Sequence, residues 1–225
     1  MNDTTLTFFS LNVRGLNTYK KRTILFDWLN DVKYDVIFLQ ETHFVENQEC
    51  IYNSRWFGEI INCYSESVYN RGVSILLRKN SNIEIINYHK SLDGRRLLVN
   101  IRYNEKVVTL VNIYAPNNEK DRADFFKRLI SWINKNSLNL DNVVLCGDFN
   151  CQINNELSDK TVNILKKILK TLSLKDSWIY FGKKSEQGLT WCDGDNVPKS
   201  RIDYVFLSDS LCSILNNIMI RNLPK

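Results

Sequence analysis

Two kinds of hydrophobic spacing alternate along the chain. Short apolar runs closed by polar or glycine-containing turns lie at Leu6–Val13, Asp35–His43 and Asn142–Asn150. Runs of this length and make-up predict buried strands. Between the first two, Ile24, Leu25, Trp28, Leu29 and Val32 recur at helical spacing over Lys20–Val32. Phe125, Phe126, Leu129, Ile130 and Ile133 do the same over Asp121–Asn136, just ahead of the third run. The pattern therefore predicts two strand-helix-strand passages, one near the N-terminus and one past the middle.

The segment between them has no helical period. Val73–Arg78, Ile83–His89, Arg96–Tyr103 and Val107–Tyr114 are β-rich and separated by turn signals such as Asp93-Gly94 and Asn104-Glu105, so an antiparallel meander is expected. Cys50–Ser67 reads as irregular, Lys160–Leu172 as a third amphipathic helix, and Gly188–Trp191 with Lys199–Leu207 as two strands around a long turn-rich loop. Together these predict an α/β fold in one domain covering residues 1–225. Asp193-Gly194-Asp195-Asn196 lacks the remainder of a calcium loop and is read as a turn.

Composition narrows the class. A hydrophobic fraction of 44% with only eight glycines and three prolines is that of a globular chain rather than a linker or a fibrous protein. Thirty Lys and Arg against 25 Asp and Glu leave +5, a mild basic excess that suits a partner carrying phosphates. Cys50, Cys63, Cys146, Cys151, Cys192 and Cys212 form no C-x-x-C pair, and the N-terminus is polar, so reduced thiols in an intracellular protein are expected. No run reaches membrane-spanning length, so no membrane association is expected.

The candidate chemistry sits where strands end. Asn12, Glu41, Tyr114, Asp148 with Asn150, and Asp203 preceded by Ser200-Arg201 all fall at the ends of predicted strands, where α/β folds commonly place their sites. If the first two strands run parallel, Asn12 and Glu41 meet. A carboxylate beside an amide oxygen suits a hard cation such as Mg²⁺. Carboxylates, amides and a phenol together can bind a cation, hold a phosphate and activate water, which is the equipment of phosphodiester hydrolysis.

The ordered stretches Leu11-Asn12-Val13-Arg14-Gly15-Leu16-Asn17, Leu39-Gln40-Glu41-Thr42-His43, Asn112-Ile113-Tyr114-Ala115-Pro116-Asn117, Gly147-Asp148-Phe149-Asn150 and Ser200-Arg201-Ile202-Asp203-Tyr204 resemble the motifs of the endonuclease/exonuclease/phosphatase superfamily. Within it they are most similar to the apurinic-type endonuclease domain of LINE (non-LTR) retrotransposons. The resemblance implies a four-layer α/β sandwich of the DNase I-like kind, two mainly antiparallel sheets flanked by helices, with the site between the sheets' upper edges. It implies that Glu41 and Asn12 hold Mg²⁺, with Mn²⁺ as a substitute, and that Tyr114 and Asn150 contact the scissile phosphate. Asp148 would orient or deprotonate the attacking water, and Asp203 would orient a histidine. Thr190, Arg201 and Asn117 are expected on the DNA side, with the loop from Thr190 to Arg201 reading the groove of double-stranded DNA. A linked reverse transcriptase domain, nuclear action and a monomeric domain follow from the same resemblance.

One motif of that superfamily, Ser-Asp-His, is missing. Ser208-Asp209-Ser210 lies too close to Asp203 and lacks the histidine, while His43 and His89 stand elsewhere. The expectation is a chain truncated before that motif and impaired as it stands. Two other readings compete: an apurinic/apyrimidinic repair endonuclease, and a non-catalytic DNA-binding module with a decayed site.

Overall fold

A computed structural model describes residues 5–46, 55–65, 70–79, 81–153, 160–193 and 197–221. Cys50 and the centre of the turn-rich loop, Gly194 to Asn196, lie outside these residues, as does part of the stretch read as irregular.

The first strand-helix-strand passage is β1 (Phe8–Asn12), α1 (Tyr19–Val32) and β2 (Val36–Gln40), with β1 and β2 parallel. Two more strands complete this sheet, β3 (Gly58–Cys63) and β4 (Val73–Arg78), in the order β1-β2-β4-β3. The second sheet contains β5 (Ile83–Lys90), β6 (Arg96–Tyr103), β7 (Lys106–Tyr114), β8 (Val143–Asp148), β9 (Leu174–Asp176) and β12 (Asp203–Ser208), ordered β5-β6-β7-β8-β12-β9. Here β7 and β8 are parallel and joined through α2 (Glu119–Asn136). Helix α3 (Lys160–Thr171) leads to β9, the short α4 (Ser177–Tyr180) follows, β10 (Trp191–Cys192) and β11 (Pro198–Ser200) form a small ribbon, and α5 (Asp209–Cys212) follows β12.

Period-two alternation in the strands builds the layers. In β2, Val36 and Phe38 join the core between the sheets, while Ile37 and Leu39 pack outward with Phe26 and Leu29 of α1. In β8, Val144 and Cys146 face inward, while Val143 and Leu145 pack with Phe126 and Ile133 of α2 and Val162 and Leu165 of α3. The result is helix, sheet, sheet, helix: a four-layer α/β sandwich. Each fully buried aliphatic or aromatic side chain contributes about 1.5–3 kcal/mol toward holding these layers together. No helix among the described residues is long and apolar enough to cross a membrane.

Three local expectations are corrected. The stretch read as irregular contains β3, whose last residues are buried against β4. The expected four-strand meander is divided, because β4 lies between β2 and β3 in the first sheet and only β5, β6 and β7 run as a meander in the second. The run from Lys199 to Leu207 is interrupted at Arg201-Ile202, which separates β11 from β12.

Candidate active site

Strand direction brings the candidate residues to one edge. Asn12 ends β1, Glu41 follows β2, Tyr114 ends β7 and Asp148 ends β8; Asp203 opens the antiparallel β12 and pairs directly with Asp148. The amide of Asn12 links the two sheets, donating from Nδ2 to Glu41 Oε1 at 2.7 Å and to Asp148 Oδ2 at 2.9 Å. The Tyr114 hydroxyl stands near the Glu41 carboxylate, whose charge bears on it, and donates to Asn117 Oδ1 at 3.5 Å.

The backbone around these groups is held in uncommon conformations. Gly147 has φ 135°, and an added Cβ would stand 2.0 Å from the Ile113 carbonyl oxygen, so glycine is what allows β7 and β8 to approach beside Tyr114 and Asp148. Asn150 is left-handed at φ 50°; its N–H donates to Asp148 Oδ1 at 2.9 Å and its side-chain amide to the Ala115 carbonyl at 2.8 Å. Arg14, Glu41 and His43 are left-handed too, at φ 47°, 52° and 56°. Non-glycine residues pay of order 1 kcal/mol or more for that conformation, and such positions gather at functional sites. The strain is held by cross-loop bonds from Gly15 N–H to the Glu41 carbonyl and from Leu16 N–H to the Thr42 carbonyl.

The electrostatics follow from crowding. Burial pushes the Asp148 carboxyl up to about 6, and the charge of Glu41 adds to this, while the bonds from Asn12 and Asn150 oppose it. Asp203 is pushed up to about 7, first by burial and then by the charge of Asp148. Arg14 is the cation whose charge opposes both shifts. Burial raises the Tyr114 phenol, with Glu41 adding to it, so the hydroxyl stays protonated and available as a donor. His43 is 3.8 Å from Glu41 and is held below its ordinary value by burial.

Several assignments change. Asn12 presents nitrogen to the carboxylates, and its Oδ1 accepts the Arg14 N–H at 3.0 Å, an arrangement that orients Glu41 and Asp148. Arg201, expected to face DNA, is only 5% exposed and forms a two-pronged pair with Asp176 at 3.1 and 2.6 Å while lying over the Tyr204 ring. Thr190 is hydrogen-bonded to Asp203, and its hydroxyl accepts the Ile202 and Asp203 N–H groups at 3.3 and 3.2 Å. Its hydroxyl thus holds the start of β12. Asn117 is exposed beside the Tyr114 hydroxyl. Ser208-Asp209-Ser210 lies at the opposite end of β12, where Ser208 accepts the Val143 N–H.

Asn112, two residues before Tyr114 on β7, is fully buried between the sheets. It accepts from Gln40 Nε2 at 2.8 Å and donates to the carbonyls of Leu39 at 3.0 Å and Ser74 at 2.8 Å. Parity in β7 carried this signal: Asn112 shares its face with Leu110 and Tyr114, which belong to the core between the sheets. Arg95 is a further residue that motif reading passed over. Its guanidinium covers the Tyr114 ring at 4.9 Å and donates to the Tyr114 carbonyl at 3.1 Å.

The donor set suits a hard divalent cation. Three carboxylates repel one another here and two are driven toward protonation, a cost that a bound cation would relieve. Among the described residues no group of three or more His, Cys, Asp and Glu has the spacing of a complete protein cage. Glu41 with water in the remaining positions matches the way Mg²⁺ is commonly held.

The profile of the Endonuclease/Exonuclease/phosphatase family matches residues 9–214, a span that includes every site residue described above. The chain belongs to that family. A 149 kDa protein of transposon TX1 from Xenopus laevis is 26% identical to it over 230 residues, which is 97% of this chain and 17% of that protein. The catalytic domain of Xenopus laevis APE2 superposes with a TM-score of 0.71 at 16% identity, covering 91% of this chain and 82% of that one. A conserved protein of unknown function from Enterococcus faecalis V583 gives 0.65 at 13% identity, covering 90% and 86%. At those identities the two solved structures establish the family's fold and nothing narrower.

Proposed function

We propose that the chain is a Mg²⁺-dependent DNA endonuclease domain that nicks one strand of double-stranded DNA and leaves a 3′-hydroxyl to prime reverse transcription by a larger LINE-type protein. The observation that carries this reading is the bridge from Asn12 to Glu41 and Asp148, which joins a cation-binding carboxylate on one sheet to a water-activating carboxylate on the other. The transposon relative supports the retrotransposon part, and the chain's 17% share of that protein is consistent with one domain of a larger protein; a linked reverse transcriptase domain and nuclear action are part of the proposal.

In this reading Glu41 would hold the cation, which would supply positive charge at the reacting phosphate. Asp148, whose carboxyl is raised toward neutrality, receives a proton from the attacking water. Tyr114, protonated and braced by Arg95, donates to a phosphate oxygen, and Asn117 lies on the same rim. Asn150 holds Asp148 through its N–H and the β7 loop through its side chain. Asp203, whose backbone N–H is held by the Thr190 hydroxyl, would orient a histidine. The β10–β11 ribbon lies beside Thr190 and reads groove shape.

Supercoiled-plasmid nicking tests the proposal, using this chain, a version continued past Lys225, and Asp148→Ala in the continued version. The continued version nicks with Mg²⁺ and Asp148→Ala loses at least 10²-fold. Equal nicking by Asp148→Ala would sink the assignment. Preference for an abasic duplex over an intact one would turn the reading toward repair.

A further inference from the structure

Two arginines outside the reacting set occupy the same place in the two β-α-β passages. The N-cap of α1 is Thr18 and that of α2 is Asn118; Arg22 and Arg122 stand four residues on in each helix. Both are nearly buried, at 6% and 8% exposure. Each guanidinium turns back past the helix start, and one terminal nitrogen donates to the two carbonyls that precede the N-cap. Arg22 Nη1 reaches Leu16 O at 2.8 Å and Asn17 O at 3.2 Å; Arg122 Nη1 reaches Pro116 O at 3.2 Å and Asn117 O at 2.7 Å.

Neither arginine is there by default. A buried cation costs several kcal/mol unless paired or hydrogen-bonded, and the first turns of a helix, with their positive end of the dipole, are unfavourable ground for one. An apolar side chain would fill either position without that cost. What the arginine adds is a grip on two successive carbonyls of a loop, repeated in two passages of unrelated loop sequence. Those loops leave β1 just after Asn12 and β7 just after Tyr114, both residues of the site. The first loop is held again by Lys21, whose Nζ donates to the Val13 and Arg14 carbonyls at 2.6 and 3.1 Å.

We propose that Arg22 and Arg122 are positioning residues, paired latches that fix the β1–α1 and β7–α2 loops so that Asn12 and Tyr114 meet Glu41 in reacting geometry. The catalytic part rests on the nuclease reading; the latch itself does not. Displacement of a reacting group by about 1 Å can cost 10²-fold in rate, so loss of a latch falls on turnover more than on DNA binding.

The experiment uses Arg22→Met, Arg22→Lys, Arg122→Met and Arg122→Lys in the chain continued past Lys225. Plasmid nicking at 25 °C, thermal midpoints, and amide exchange of the metal-free proteins are measured. Each Met variant loses on the order of 10-fold in kcat, with KM for DNA within about twofold, and each Lys variant recovers most of it. Amide exchange rises at 13–17 in Arg22→Met and at 115–118 in Arg122→Met, each confined to its own loop. Unchanged kcat in folded Met variants would make the arginines structural only and overturn the positioning role, as would exchange that rises evenly over the domain. Where a Met variant does not fold, its Lys counterpart decides, since a folded Lys variant with parental kcat and loop exchange supports the latch and one that loses both overturns it. If the unsubstituted protein does not nick, the nuclease reading fails on that ground, and the loop-confined exchange still decides the latch.

Discussion

Asp148, buried, and Asp203, half-buried, stand directly opposite each other on β8 and β12 as one cross-strand pair. Like charges so placed are unfavourable, and burial makes them more so. The fold keeps both because Asn12 and Asn150 donate to one, and Thr190 holds the other.

A pH dependence of stability follows from Asp203. Its ordinary value is 3.8 and the folded protein pushes it up to about 7, so between those limits the folded state binds the proton and the unfolded state does not. Stability linked to this group is therefore fully present below about pH 4 and is lost as pH rises toward 7. Asp203→Asn removes the effect. In chelator, thermal melts of parent and variant should coincide near pH 4 and separate by several degrees at pH 8, the variant higher. Mg²⁺ should narrow the gap. Melts that stay parallel across the range would show that Asp203 carries no such burden.

Gly147→Ala tests the close approach of β7 and β8. The new Cβ would lie 2.0 Å from the Ile113 carbonyl oxygen, in a strand pair whose backbone cannot yield at that point, and φ 135° is closed to alanine as well. A loss of at least about 3 kcal/mol in denaturant midpoint analysis is expected. Parental stability would mean that the two strands separate at little cost.

Asn112→Ala probes the polar bridge in the central core. It removes the bonds that Asn112 makes to Gln40 Nε2, which keeps only Ser10 Oγ at 3.2 Å, and to the carbonyls of Leu39 and Ser74, all in a buried setting. Each bond lost there costs about 1–3 kcal/mol, so the total should exceed about 3 kcal/mol. Asn112→Ala combined with Gln40→Leu should recover part of that loss, because the second change removes the amide that lost a partner. Additive losses in the pair would contradict the bridge.

Residues whose role depends on strand period and strand end were legible in the sequence: the alternation in β2 and β8, the helical spacing of α1 and α2, and Glu41 and Asp148 at strand ends all follow from local pattern. Sheet membership was not. Val73–Arg78 is next to Ile83–Lys90 in the chain, but the turn between them carries the backbone from one sheet to the other, and nothing in either strand's composition marks that step. Arg201 was misplaced for a related reason. Its partner, Asp176, ends a three-residue strand with no hydrophobic period of its own, so the pairing exists only once β9 is set beside β12. The nitrogen-first orientation of Asn12 likewise depends on two carboxylates that only the packed sheets bring to it.

The last prediction separates the two readings of Arg201. As part of a buried pair it gives up solvation for the two bonds to Asp176, which also caps α4 by accepting the Trp178 N–H at 3.1 Å. Arg201→Met leaves that carboxylate facing an apolar side chain, and removing one partner of such a pair typically costs about 3–5 kcal/mol. Asp176→Asn should cost a similar amount, and the two together less than the sum, with the coupling read from denaturant melts. A phosphate ligand would behave differently. Its loss would leave the melting midpoint in place, weaken binding to every DNA sequence alike, and lower the slope of log affinity against log salt by about 1. Titrating the same variant with a duplex at several salt concentrations therefore decides between them: a large stability loss with an unchanged salt slope is the outcome expected from the buried pair, and the reverse would return Arg201 to the DNA face.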